Sequence, residues 1–236
     1  VETDARASAS RGTGRFVTIE GPDGSGKTTL AGRLVAHLTG MGIPTVLTRE
    51  PGGTVLGERI RVIVLEVGED RHQLDAATDA LLFSAARARH VEEVILPALG
   101  RGEAVVSARY ADSTLAYQGY GAGLPLETLR AIQDMATGGL VPDLTILLDL
   151  PVSEGLARKA AEITRFEESF DEAYHERVRA GFLEMAAAER ERWVVVDARA
   201  GEEEVLAAAV RACARLPALA GHEAGEPERA IERMSG

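Results

Sequence analysis

A chain of 236 residues with 45% apolar side chains can bury one sizeable core. Its formal charge of −11 excludes a broad electrostatic grip on nucleic acid, and its single cysteine, Cys213, excludes an internal disulfide and suits the reducing cytoplasm. No apolar run reaches the length of a bilayer span, so no membrane partner is expected.

Residues 1–14 ("VETDARASASRGTG") lack the apolar segment of a secretory signal and read as a disordered leader. The strand "RFVTIE" (15–20) follows, then "GPDGSGKTT" (Gly21 to Thr29), then a helix near 27–39. Gly21-x-x-x-x-Gly26-Lys27-Thr28 satisfies the phosphate-loop pattern in its required setting between strand and helix. At average residue usage, a chance match is on the order of one in a hundred. The nucleotide-binding residues on this reading are Gly21, Pro22, Asp23, Gly24, Ser25, Gly26, Lys27, Thr28 and Thr29. Their backbone N–H groups curl around an anion, and the helix adds its positive end. Lys27 would reach the β- and γ-phosphates, and the Thr28 hydroxyl would hold Mg²⁺. Asp23 repels phosphate, which leaves it to accept from a sugar hydroxyl or to face solvent.

A strand at 44–49 runs into "REPGGT" (49–54), where Pro51 and two glycines demand a sharp path, with a cis bond before Pro51 as one solution. Helices near 54–66 and 75–99 come next. The second contains "LLFSAARARHVEEV", which spaces Phe83 and Arg87 at i and i+4. A ring that stacks and a guanidinium that donates would suit a nucleobase; a core phenylalanine and a surface arginine would give the same spacing. After a strand at 103–108, "RYADSTLAYQGYG" gathers Arg109, Thr114, Tyr117 and Gln118 in one loop-to-helix segment. Arg109, at the strand end, suits a bidentate hold on a second phosphate.

A helix near 125–137, a strand at 143–150, helices near 151–163 and 169–191, a strand at 193–198 and a helix near 202–215 complete the order. Residues 217–236 are charged, poor in large apolar side chains, and read as a disordered tail. The strands are nearly apolar throughout, as strands covered on both faces are. The alternation predicts an α/β fold, a five-stranded parallel sheet with helices on both faces, in a single domain over 15–216. All strand C-terminal ends then share the ligand-binding edge.

"FVTIEGPDGSGKTT", "TREPGGT", "LLFSAARA", "RYADSTLAYQG" and "PDLTILLDLP", in this order over about residues 15–213, resemble the bacterial type of thymidylate kinase, a phosphate-loop nucleoside-monophosphate kinase. The resemblance implies ATP with Mg²⁺ at Gly21 to Thr28, dTMP across the cleft, and the reaction ATP + dTMP → ADP + dTDP. By the same resemblance Phe83 stacks on thymine, Arg87 reads its carbonyl edge, and Arg61 and Arg109 hold the acceptor phosphate. Asp23 falls near the sugar 3′-hydroxyl, and Thr114, Tyr117 and Gln118 near the nucleoside. "ARKAAEITRFE" (157–167) looks like the lid, with Arg158 and Arg165 closing over the transferring phosphate. The family's dimers imply a homodimer.

Two departures stand out. Where the family has Asp-Arg-Tyr, this chain reads Ala108-Arg109-Tyr110, so a carboxylate that would orient Mg²⁺ is missing. The lid reads Thr164-Arg165 where Asp-Arg is usual, with Ala160 and Ala161 in a stretch often richer in arginine. Such losses slow phosphoryl transfer without abolishing it. Two alternatives follow: a degenerate paralogue that binds nucleotides with little turnover, or a kinase for another pyrimidine monophosphate.

Overall fold

The structure, a computed structural model, describes residues 12–65, 74–159 and 170–219. Five short runs of apolar and β-branched residues pair as parallel strands: β1 (Arg15–Glu20), β2 (Thr45–Arg49), β3 (Ala104–Ala108), β4 (Leu144–Asp149) and β5 (Trp193–Asp197). Their order in the sheet is β2-β3-β1-β4-β5. Ile19 lies opposite Ala108 on one side and Ile146 on the other. With β1 flanked by strands reached in opposite directions, its exit is the point where the sheet opens a crevice for ligands.

The helices are α1 (Lys27–Gly40), α2 (Val55–Leu65), α3 (Ala76–His90), α4 (Ala111–Thr114), α5 (Leu126–Thr137), α6 (Val152–Lys159), α7 (Glu172–Ala188) and α8 (Glu202–Cys213). The strand period of two divides β1 between two cores. Val17 and Ile19 pack with Leu34 and Leu38 of α1 and Ala209 and Ala212 of α8. Phe16 points to the other face, where it meets Tyr110 edge-on at 4.9 Å. On that face Leu147 and Trp193 pack with Tyr117, Leu129, Tyr174 and Phe182. Asp75 starts α3 by accepting from the Thr78 N–H at 2.7 Å, which offsets one orphan donor of the first turn. The helix then continues through a wider, π-type turn at Val91–Ile95 and a last turn at Leu96–Gly100.

All five strands fall where the sequence predicts them. The structure adds α4, which runs on as a π-type helix over Leu115–Gly121, where no separate helix is expected. Gly119 and Gly121 serve close packing within this helical path. A Cβ on Gly119 would lie 2.5 Å from Leu126 Cδ2, and one on Gly121 would lie 2.7 Å from Tyr174 Cε2. At the other end, Leu219 is 3% exposed and joins the core beside α8, so the packed chain continues past 216. Residues 1–11 and 220–236 of the expected leader and tail, and 160–167 of the expected lid including Arg165, lie outside the described residues.

Candidate active site

Because the sheet is parallel, the segments leaving Glu20, Arg49 and Ala108 converge on one edge. They enclose a cleft of about 420 Å³. Asp23, Gly24, Gly26, Lys27, Thr28 and Thr29 form one wall; Arg61, Phe83, Arg87, Arg109, Thr114, Tyr117 and Gln118 form the other, with Arg158 also at its surface. Every described substrate-side residue named from the sequence thus reaches one cavity.

On the loop wall, Gly26 takes φ +88° at the start of α1, a conformation that costs other residues strain. No side chain caps this helix and no acid sits in its first turn. Its first N–H groups therefore remain open to an anion. Gly21, Pro22 and Ser25 stand behind the lining and hold the lysine. Lys27 Nζ donates to the carbonyls of Gly21 at 3.0 Å and Pro22 at 2.7 Å, and lies 3.3 Å from Ser25 Oγ. Burial, with the nearby Arg109 charge second, pushes the Lys27 ammonium down to about 7. Polyphosphate would supply the negative charge this group lacks. Thr28 is exposed to the cleft and makes no side-chain hydrogen bond among the described residues. That suits a ligand for a metal ion carried in on phosphate oxygens.

The opposite wall is cationic. Arg61 Nη1 donates to the Pro51 carbonyl at 3.1 Å, next to the cis Glu50–Pro51 bond. Arg109 has φ +72°, the left-handed region that glycine favours. Its guanidinium donates to Ser113 Oγ at 3.2 Å, to Tyr117 Oη at 3.1 Å and to the Asp23 carboxylate. Tyr117 in turn donates to Asp23 Oδ2 at 2.7 Å. Burial opposes ionisation of Asp23, but Arg109 and Lys27 prevail and lower its pKa.

The Phe83–Arg87 pair reverses the bland reading of its spacing. Phe83 is half-buried at the cleft, whereas the Arg87 side chain is 2% exposed and donates to Glu50 Oε2 at 2.7 Å and Thr114 Oγ1 at 3.0 Å. Arg158 Nη1 is tied to the Ala198 carbonyl at 3.2 Å, just past β5.

Ala108 lines the cleft, and neither neighbouring acid is free to replace the missing carboxylate. Glu20 accepts from the Tyr110 N–H at 2.7 Å and from Ser113 Oγ at 2.6 Å, and burial together with Asp112 pushes it up to about 7. Asp149 is paired with Arg179 at 2.7 and 3.0 Å. Arg49, Glu50 and Lys159, not expected from the sequence, also line the cleft. For the first two a signal existed: adjacent charges ending a strand at the ligand edge.

A phosphate loop facing an arginine wall, with a half-buried aromatic between, is equipped to move a phosphoryl group between two phosphate-bearing ligands. The family model for thymidylate kinase matches residues 19–209. The thymidylate kinase of Deinococcus radiodurans is 50% identical over 194 residues, spanning 81% of this chain and 92% of that protein. That of Thermomicrobium roseum is 52% identical over 193 residues, 80% of this chain and 90% of that protein. The crystal structure of thymidylate kinase from Ehrlichia chaffeensis matches with a TM-score of 0.65 at 34% identity, covering 78% of this chain and 92% of that one. Motif order, cleft and half-identical relatives agree, and the chain belongs to the thymidylate kinase family.

Proposed function

We propose that this cleft performs the family's reaction, transfer of the γ-phosphoryl group of ATP to dTMP, through the following division of labour. The open N-terminus of α1 and the loop at Gly21 to Thr29 bind the ATP phosphates. Lys27, held at the base of that loop, neutralises charge on the group in transit. Arg109 and Arg61 hold the acceptor phosphate, and Phe83 and Arg87 bind the pyrimidine. Asp23, Tyr117, Thr114 and Gln118 border the nucleoside, and Arg158 serves the transferring phosphate, a role that the family resemblance also gives to Arg165. Mg²⁺ would be held by Thr28 together with phosphate oxygens, where it would draw off negative charge during transfer.

The observation that carries this reading is the pairing of Lys27 and Arg109 on opposite walls of one 420 Å³ cleft, in a chain 50% identical to a thymidylate kinase over most of its length. Nothing favours the binding-only or other-pyrimidine alternative, since the relatives matched over most of the chain are thymidylate kinases. A coupled ADP-release assay across the nucleoside monophosphates tests it. Release with dTMP above all others is expected; tight nucleotide binding without release, or preference for another monophosphate, would overturn it.

We infer a homodimer as well. Val55 and Val62 of α2, Leu81 of α3 and Met135 of α5 are between 57% and 79% exposed, on helices packed side by side. Exposed apolar side chains on neighbouring helices suit an association surface. Sedimentation should give twice the chain mass, and Val62→Asp with Met135→Asp should give monomer. We assign the chain to the cytoplasm, where nucleotide pools lie; its buried Cys213 thiol, pushed up to about 12 by burial, is inert to oxidative pairing.

A further inference from the structure

Thr48 and His90 lie behind the cleft and Glu50 lies at its surface, and the three form a continuous buried relay that ends on Arg87. Thr48 Oγ1 and His90 Nε2 are 2.6 Å apart, His90 Nδ1 and Glu50 Oε1 are 2.9 Å apart, and Glu50 Oε2 accepts from Arg87 Nε at 2.7 Å. A hydroxyl, an imidazole and a carboxylate in line suggest a nucleophile. Burial argues against it, since Thr48 is 8% and His90 0% exposed. The turn after Pro51 roofs the relay. At Gly53, φ +77°, a Cβ would stand 2.8 Å from His90 Cδ2 and 3.0 Å from Thr48 Oγ1. Only a glycine lets the backbone close over the ring.

The other end of the relay can be counted. A guanidinium carries five N–H donors. In Arg87, Nε serves Glu50, Nη1 serves Thr114 Oγ1 at 3.0 Å and Gln133 Oε1, and Nη2 serves the Tyr110 carbonyl at 3.0 Å. The Gln133 amide is itself oriented, because its Nε2 donates to Ser84 Oγ at 3.0 Å. Among the described residues one N–H, on Nη2, is left over, and Arg87 borders the cleft.

We propose that Thr48, His90 and Glu50 are positioning residues that lock Arg87 so that a single N–H meets the pyrimidine edge, selecting a base with a carbonyl there and rejecting one with an amino group. The proposal rests on the reading of Arg87 as the group at the base edge. A mobile guanidinium could step aside and let water bridge to an amino group. A fixed one leaves two donors facing each other, both unpaired, and that mismatch is what discriminates. Uracil carries the same carbonyl as thymine, so the relay does not separate those two.

Steady-state kinetics of the full chain with dTMP, dUMP and dCMP test this. His90→Phe should raise KM for dTMP about tenfold and reduce the dTMP-over-dCMP ratio of kcat/KM by at least as much, the size of one well-placed hydrogen bond. KM for ATP and the dTMP-over-dUMP ratio should hold. His90→Asn, whose amide N–H can stand in for Nδ1–H, should recover most of the loss, and Glu50→Gln should reproduce it. A purely structural role would lower Tm and the active fraction without moving the dCMP ratio. If Arg87→Lys leaves dTMP and dCMP kinetics unchanged, the base-edge reading itself fails. If Arg87→Lys changes them while folded His90→Phe and Glu50→Gln do not, the positioning role is overturned. Should His90→Phe not fold, Glu50→Gln and His90→Asn carry the same comparison.

Discussion

Arg109 and Asp23 form an ion pair across the cleft, the guanidinium reaching from the end of β3 to a carboxylate inside the phosphate loop. Tyr117 closes the triangle by donating to Asp23, with its ring 4.9 Å from the guanidinium carbon. From the sequence alone these two residues are expected to meet separate ligands, a sugar hydroxyl and a phosphate. Their pairing means that each ligand meets a group already oriented. On the proposed assignment of Arg109, acceptor phosphate would share or displace the Asp23 contact, and the pair links the two walls of the cleft.

Arg109→Ala should therefore weaken dTMP much more than ATP. A charge-assisted bidentate contact is worth about 1.5–3 kcal/mol, or roughly ten- to hundredfold in affinity. Calorimetric titration of each nucleotide reads this directly, and an equal loss for both would put Arg109 on the wrong side of the cleft. Backbone strain gives a second check. With φ +72°, Arg109→Gly should be more stable than Arg109→Ala by about 1 kcal/mol.

Lys27→Ala should lose phosphoryl transfer by a factor on the order of a hundred or more, the cost of deleting a charge stabiliser at a reacting centre. The lysine is only 8% exposed and satisfies two loop carbonyls. Its removal should also loosen the loop, read as faster hydrogen exchange at Gly21 to Thr28. Turnover close to that of the parent would end the phosphate-loop assignment.

Stability of the nucleotide-free protein should depend on pH through Glu20 and Lys27 in opposite senses. Burial, aided by Asp112, raises the Glu20 carboxyl from 4.5 to about 7 on folding. Between those values the folded state binds more protons than the unfolded, so this contribution falls as pH rises. Burial lowers Lys27 from 10.5 to about 7, so between about 7 and 10.5 the unfolded state binds more and stability rises with pH. Glu20→Gln should remove the falling limb, worth on the order of 3 kcal/mol across its window. Thermal melts of parent and variant over that range check it; parallel curves would mean that the carboxyl is already ionised inside the fold.

How much of this was legible beforehand depends on how local the cause is. Strand positions and the phosphate loop follow from runs of adjacent residues, such as "RFVTIE" and "GPDGSGKTT", whose chemistry acts over a few positions. The cis bond before Pro51 was anticipated for the same reason. The burial of Arg87 was not, because its partners Glu50, Thr114 and Gln133 lie 27 to 46 residues away and only the fold collects them. Glu20 and Asp149 each end a strand at the ligand edge, yet only the fold shows that each is engaged, by Ser113 and by Arg179. The helical path of 111–121 was hidden because Gly119 and Gly121 admit Leu126 and Tyr174, residues that no local pattern brings near.

Ala108→Asp tests the departure from the family pattern at its source. Ala108 is 4% exposed, at the end of β3 beside Ile19 and Arg49, on the surface of the cleft. A carboxylate there would accept from metal-bound water, a task for which Glu20 and Asp149 are not placed, since neither lines the cleft. Turnover should rise by up to about tenfold, the worth of one hydrogen bond made in the transition state, and the Mg²⁺ requirement should fall. KM for dTMP should stay put, since the acceptor phosphate is assigned to Arg61 and Arg109 and not to this strand end. Placing a second acid near Glu20 should push the Glu20 carboxyl up further, so that the pair carries one charge near neutral pH. The gain should then be largest on the alkaline side. Unchanged turnover across the Mg²⁺ titration would show that Thr28 and the phosphates suffice, and that alanine at this strand end costs the enzyme nothing.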